Sequence, residues 1–375
     1  MKSRYIKRHR SLLHTLFNNT NFDPKSMEKI PTKPRDPTLV GNLPFKISIL
    51  SSKEASILED RQANEAIKIY SDGSAHNGKV GAAAVLTCPG HPTQSLHFHL
   101  GPETKHTVHE AELIGTVLAL HLIKTEKNKK VNISIGIDNQ AALEVYHSSM
   151  KKPAHSVARE ALRLGNMLKK RTRGKGYSLM LRWTAGHKGI SGNELADKEA
   201  KRAAEGLSSD KNSLPTFLKQ KLTINPSAVQ QNFDAGLKQK WKNEWWNSER
   251  GQKISKIDIN TPSAHLLCTI SKSDLSRRSA SFITQLHLQH IPLNAYLHCF
   301  NLVDSARCPM CKARSETVNH YLLHCPSHAH ERWALERSLR RKGKELLLEN
   351  LLGEEEAINT LINYIDASLR FTYKQ

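Results

Sequence analysis

The chain has 375 residues, 38% of them hydrophobic, with 56 lysines and arginines against 35 acids and a formal net charge of +21. That length allows about two or three domains, and the charge favours a polyanionic partner, nucleic acid foremost. Six cysteines are too few for a disulfide scaffold in a chain this long, and no apolar run approaches the ~18–20 residues of a membrane span. The composition therefore argues against a secreted or membrane protein and for a reducing compartment, nuclear or cytoplasmic.

Residues 1–65 begin MKSRYIKRHR and carry prolines at 24, 31, 34, 37 and 44, which reads as a basic arm or linker. The absence of acids up to Asn21 suits either a mitochondrial presequence or a nucleic-acid-binding arm. From 66 to 206 strand and helix patterns alternate. KIYSDGS and KVGAAAVL are two strands around His76-Asn77-Gly78-Lys79, a hairpin signal because Asn-Gly tolerates positive φ. SLHFHLG is a third antiparallel strand, and HEAELIGTVLALHLIK has a broad apolar helical face. VNISIGI is a strand ending at Asp138, AALEVYH a short helix, and Ser156 to Lys170 a longer one. YSLMLRW is the last strand, and GNELADKEAKRAAEG a helix stopped by Gly206. The order predicts an α/β fold, a mixed five-stranded sheet flanked by helices.

Residues 207–226 read as a linker, and 227–375 as a mostly helical C-terminal region. Phe233, Leu237, Trp241, Trp245 and Trp246 recur at helical spacing, which predicts core rather than a base-stacking platform. Residues 265–300 look helical up to an interruption at Pro292, and a charged helix pair follows at 327–342 and 344–370.

Four carboxylates stand where chemistry could use them together. Asp72 ends the first strand, Glu112 opens the first long helix, Asp138 closes a strand, and Asp197 lies in the last helix of the region. Carboxylates that converge without basic partners raise one another's pKa, and divalent cations resolve the conflict. An all-oxygen donor set suits Mg²⁺. Glu110, two residues before Glu112, is a weaker rival.

The motifs SDGS, HEAEL, IDNQAAL and GHKGISGNELADKEAK, in that order over residues 66–206, resemble the type 1 ribonuclease H domain of retroelements and cells. The resemblance implies a ribonuclease H-like fold and an endonuclease that cuts the RNA strand of an RNA–DNA hybrid, leaving 5′-phosphates. It implies two Mg²⁺ ions, with Mn²⁺ able to substitute, held by Asp72, Glu112, Asp138 and Asp197. His187 matches the family's loop histidine, which assists proton transfer or product release. Ser74, Asn139 and Gln140 match positions that touch the hybrid, although each equally suits turn formation or helix capping. Ala185 stands where proline is common in the family. The region 147–176 is too short for the basic handle of cellular members, and LKKRTRGKG (168–176) could supply phosphate contacts instead.

Cys308, Cys311, His320 and Cys325, spaced C-x2-C-x8-H-x4-C, form a donor set suited to structural zinc, with His324 as the competing fourth ligand. Cys268 and Cys299 read as buried thiols. The segment ETVNHYLLHCP, with FITQLHLQHIPLNAYL and KWKNEWWNSERGQKISKID before it, resembles the zinc-binding region after the ribonuclease H domain in fungal non-LTR (LINE-like) retrotransposon polyproteins. His287 stands where those elements more often have arginine. The resemblance implies a chain lacking the reverse transcriptase, from a truncated element or a derived host gene, whose basic C-terminal region could bind further nucleic acid. Against the enzyme stands a second reading, a catalytically idle nucleic-acid-binding relic. The sequence assigns no oligomeric state.

Overall fold

The fold is seen in a computed structural model that describes residues 23–30, 43–88, 92–125, 132–147, 152–171, 178–186, 188–257, 268, 270–271 and 274–371. The chain divides into two compact units, Met1–Ala235 and Gly236–Gln375.

The first unit is built on a sheet of six strands: β1 (Lys46–Ser48), β2 (Ile67–His76), β3 (Lys79–Thr87), β4 (Gln94–Pro102), β5 (Asn132–Ile137) and β6 (Ser178–Trp183). Their order is β1-β6-β5-β2-β3-β4. β2 pairs antiparallel with β3, and β3 with β4, whereas β2, β5, β6 and β1 run parallel. Asn77 and Gly78 turn the β2–β3 hairpin with φ of 50° and 72°, the paired positive angles that Asn-Gly permits. Five strands were expected, and the sixth is β1, only three residues long and contributed from the proline-containing N-terminal segment. A three-residue edge strand carries too little periodicity to be read from sequence.

The helices are α1 (Lys53–Gln62), α2 (Val108–Thr125), α3 (Gln140–Glu144), α4 (His155–Arg171) and α5 (Ser191–Ala204). α2 is buried almost all round, from Glu110 to Leu120 without interruption, as befits a helix held between the sheet and α4. The main core joins Ile69, Val80, Leu113, Leu118, Ile135, Ala158 and Leu181. Each of the valine, leucine and isoleucine side chains contributes roughly 1.5–3 kcal/mol by leaving water.

The flanking segments are tied to this unit. The Glu28 carboxylate accepts hydrogen bonds from the backbone N–H of Ala154 (2.6 Å) and of Ser156 (2.9 Å), and from the Ser156 hydroxyl (2.6 Å), at the start of α4. Leu214 and Leu218 join the main core, and Ser208 and Ser209 bond the backbone of β4.

The second unit contains short helices. α6 (Pro226–Asn247) crosses the division between the two units. It is followed by α7 (Glu249–Ile254), α8 (Arg277–His287), α9 (Asn294–Cys299), α10 (Ala329–Arg341), α11 (Leu348–Gly353) and α12 (Ile358–Ala367). Their core includes Ile283, Leu286, Leu322, Leu339, Leu361 and Tyr364. Two expectations fail here. Leu237, Trp241 and Trp246 are 55%, 49% and 45% exposed, not core. Only Ala228 and Val229 of α6 are buried, so among the described residues nothing packs on most of its apolar stripe. Cys268 and Cys299 are exposed rather than buried. For Cys299 the reason is that none of the six residues of α9 is buried. No helix among the described residues is long and apolar enough to cross a membrane.

Candidate active site and metal centres

Asp72 sits within β2, opposite Ala83 of β3, and is 5% exposed. The next residue decides how close a helix can come. A Cβ on Gly73 would stand 2.3 Å from the backbone nitrogen of Glu112, so only glycine lets α2 lie this near β2. That contact carries Glu112 to Asp72. Asp138 follows directly after β5, at the carboxyl end of a parallel strand, where sites in open α/β sheets gather. Ligand oxygens of Asp72, Glu112 and Asp138 all lie within 4.8 Å of one another.

The electrostatics follow from that crowding. Burial, then the charges of Asp138 and Asp197, push the Asp72 carboxyl up to about 7. Burial, then Asp72 and Asp138, hold Glu112 well above the ordinary carboxylate range, although the Asn139 side chain hydrogen-bonds to it. Glu112 Oε2 is buried with no hydrogen-bond partner among the described residues. A buried carboxylate oxygen without a donor, beside two more carboxylates, fits a hard divalent cation.

The other predicted residues divide. Asp197, on α5, is outside the converging trio and bonds Lys201 Nζ at 2.7 Å, although it is near enough to act on Asp72. Glu110 is turned elsewhere: His106 Nδ1 lies 3.1 Å from its carboxylate and Asn225 Nδ2 3.3 Å. Asn139 caps α3, its Oδ1 accepting from Ala142 N–H at 3.3 Å. Gln140 is exposed at the first position of α3, and Ser74 is half-buried on β2. His187 lies outside the described residues. The loop leading to it rests on the site: a Cβ on Gly186 would meet Asp138 Oδ2 at 3.0 Å.

One supporting residue escaped the sequence reading. The hydroxyl of Ser56, on α1, donates to the Trp183 carbonyl at 2.9 Å and accepts from Ala185 N–H at 3.0 Å, bracketing the same loop. The signal available was Ser52, whose side chain caps α1 by accepting from Ala55 N–H at 3.1 Å.

The second unit holds the other cluster. Donor atoms of Cys308, Cys311, His320 and Cys325 lie within 4.8 Å of one another. Cys308 and Cys325 sulfurs are 3.9 Å apart, and Cys311 Sγ is 3.3 Å from His320 Nε2. Two thiolates on a tetrahedral zinc with ~2.3 Å bonds stand about 3.8 Å apart, so the donor spacing fits that ion. His324 is not among the converging donors. Burial pushes the Cys308 thiol up to about 11, and backbone hydrogen bonding lowers that of Cys311. Burial also lowers His320, favouring the neutral imidazole a metal needs. Glu316, 1% exposed, joins this cluster to the C-terminal end through two bonds from Arg370, at 2.7 and 2.6 Å.

Residues 64–205 match the family model described as RNase H. The six-stranded mixed sheet and its flanking helices have an RNase H-like fold over the stretch that this model matches. Among solved structures, the N-terminal RNase H domain of a Mycobacterium tuberculosis protein, fused to maltose-binding protein, is 18% identical over 37% of this chain and 93% of that one (TM-score 0.29). RNase H1 from the halophilic archaeon Halobacterium salinarum is 15% identical over 38% and 98% (TM-score 0.26). LC11-RNase H1, solved in complex with an RNA/DNA hybrid, is 18% identical over 36% and 98% (TM-score 0.29). No curated protein matches the chain.

Proposed function

We propose that the domain at 66–206 is an endoribonuclease that hydrolyses the RNA strand of RNA–DNA hybrids. The convergence of Asp72, Glu112 and Asp138 around an unpartnered buried oxygen carries this reading. Asp72, Glu112, Asp138 and Asp197 would hold Mg²⁺, or Mn²⁺, for which Asp197 must exchange its Lys201 bond. Two bound divalent ions would supply an ionised water and charge neutralisation at the leaving oxygen. The protein's own part is to fix the carboxylates. Gly73 seats Glu112 against β2, Asn139 orients its carboxylate, and the Gly186 loop covers Asp138. His187 would then move a proton at the reacting phosphate, and Ser74, Asn139 and Gln140 would meet the hybrid's backbone and 2′-hydroxyls.

The Cys308, Cys311, His320 and Cys325 cluster would hold structural zinc within the C-terminal region, 227–375. The two resemblances together support descent from a non-LTR retroelement and work in a reducing compartment. A fold kept for binding without cleavage is favoured by one observation, the Asp197–Lys201 bond.

Glu112→Gln and Glu110→Gln separate the roles. The account expects Mg²⁺-dependent hybrid cleavage to be lost in the first, at least 100-fold down, and kept in the second with a lower Tm. Equal activities in the two variants would refute the assignment.

A further inference from the structure

The second unit carries a groove of about 860 Å³ that the hydrolytic site does not use. One wall is aromatic. His290 stacks on Tyr296 with centroids 5.2 Å apart and 25° between planes, and Tyr296 leans on Phe300 at 5.0 Å. Phe300 is 59% exposed, so this ladder is not sealed into the core. α7 contributes Arg250 and Lys253 to the lining, neither of which forms an ion pair among the described residues; Glu249 is the one acid among the described lining residues. In the same lining, the Trp245 indole Nε1 is buried without a hydrogen-bond partner among the described residues, an arrangement that costs free energy until an acceptor arrives.

We propose that this groove binds single-stranded nucleic acid. Tyr296 and Phe300 offer π-faces for unpaired bases, Arg250 and Lys253 meet phosphates, and the Trp245 N–H donates to a base carbonyl or phosphate oxygen. Flat rings beside cations are what an unstacked strand needs, and a duplex cannot present its base faces to them. The inference deepens the reading of the C-terminal region as nucleic-acid-binding and does not depend on catalysis.

The test is fluorescence anisotropy of a labelled 12-nucleotide oligouridylate with the full chain in EDTA, so that cleavage is silent. An unlabelled 12-base-pair hybrid in excess occupies the domain at 66–206. Phe300→Ala and Tyr296→Ala are each expected to weaken binding about 5- to 150-fold, the effect of losing one stacked base, and Tyr296→Phe to keep it. Arg250→Gln with Lys253→Gln should lower the slope of log affinity against log salt by about 1 to 2. All variants should keep the wild-type Tm and hybrid cleavage. Unchanged affinity in the aromatic variants would overturn the proposal. So would equal loss for inorganic polyphosphate, which has no bases, or no oligouridylate binding at all, which would leave the groove to a peptide or other occupant.

Discussion

Gly73→Ala tests whether the contact between α2 and β2 sets the carboxylate geometry. The added Cβ would lie 2.3 Å from Glu112 N and 2.6 Å from the Ala111 carbonyl carbon, both backbone atoms that cannot rotate away. Ordinary contact begins at 3.4 Å, so α2 must retreat by about 1 Å exactly where it delivers Glu112. Overpacking of this kind costs about 1–3 kcal/mol, or roughly 2–12 °C in Tm for a domain of this size. A 1 Å misplacement at a reacting centre costs on the order of 100-fold in rate. Gly165→Ala is the control. Its Cβ would meet Pro44 Cγ at 2.7 Å, away from the carboxylates, so Tm should fall while hybrid cleavage per folded molecule stays at wild type. Thermal melts and initial cleavage rates decide the matter. A Gly73→Ala protein with wild-type Tm and rate, or a rate loss no greater than that of Gly165→Ala, would refute the reasoning.

Three further outcomes follow from the same geometry. The Asp72 carboxyl is raised to about 7 in the fold, so it favours the folded state where it is protonated and that contribution is lost as pH rises from about 4 through 7. The metal-free protein at pH 8 therefore carries a penalty on the order of 4 kcal/mol. The Tm gained from Mn²⁺ should be several degrees larger at pH 8 than at pH 5.5, and Asp72→Asn in EDTA should melt above wild type at pH 8; an equal gain at both pH values would count against the carboxylate cluster. Metal analysis should find one zinc per chain, lost in Cys308→Ser, with the C-terminal unit melting at least 10 °C lower while hybrid cleavage persists; zinc-free protein of unchanged stability would remove that site. Glu28→Ala leaves the Ala154 and Ser156 donors at the start of α4 unanswered and should cost about 2–3 kcal/mol in urea unfolding. A loss under 0.5 kcal/mol would show that water replaces the carboxylate.

Much of the first unit was legible because its signals are local. The Asn77-Gly78 turn and the carboxyl-end position of Asp138 depend on neighbours in sequence, and the structure places them as expected; β2 is instead buried without a break from Ile69 to Gly73, because strands pair on both sides of it and helices cover it. The preference for Glu112 over Glu110 rested on resemblance; in the fold His106, 4 residues away, and Asn225, 115 residues away, engage Glu110. A long-range partner such as Asn225 leaves no periodic mark. Glu28, Ser56 and the strand β1 went unread for the same reason, since each acts on a segment more than 100 residues distant. The tryptophans of α6 failed in the other direction. Helical spacing of Leu237, Trp241 and Trp245 predicts a stripe, but a stripe becomes core only where another element covers it. The cysteine cluster was readable because metal-donor spacing is a short-range pattern, whereas the exposure of Cys299 depends on what packs around α9.

The central claim is metal-dependent, strand-selective hydrolysis at the Asp72, Glu112 and Asp138 site. The most direct measurement uses an RNA–DNA hybrid with each strand carrying its own label, incubated with wild type and Asp138→Asn in Mg²⁺ and in EDTA. The account predicts fragments of the RNA strand alone, with 5′-phosphate ends, in wild type with Mg²⁺ and in no other lane. Both strands intact in every lane, from a folded protein that binds the hybrid, would contradict it and leave a nucleic-acid-binding fold without the chemistry.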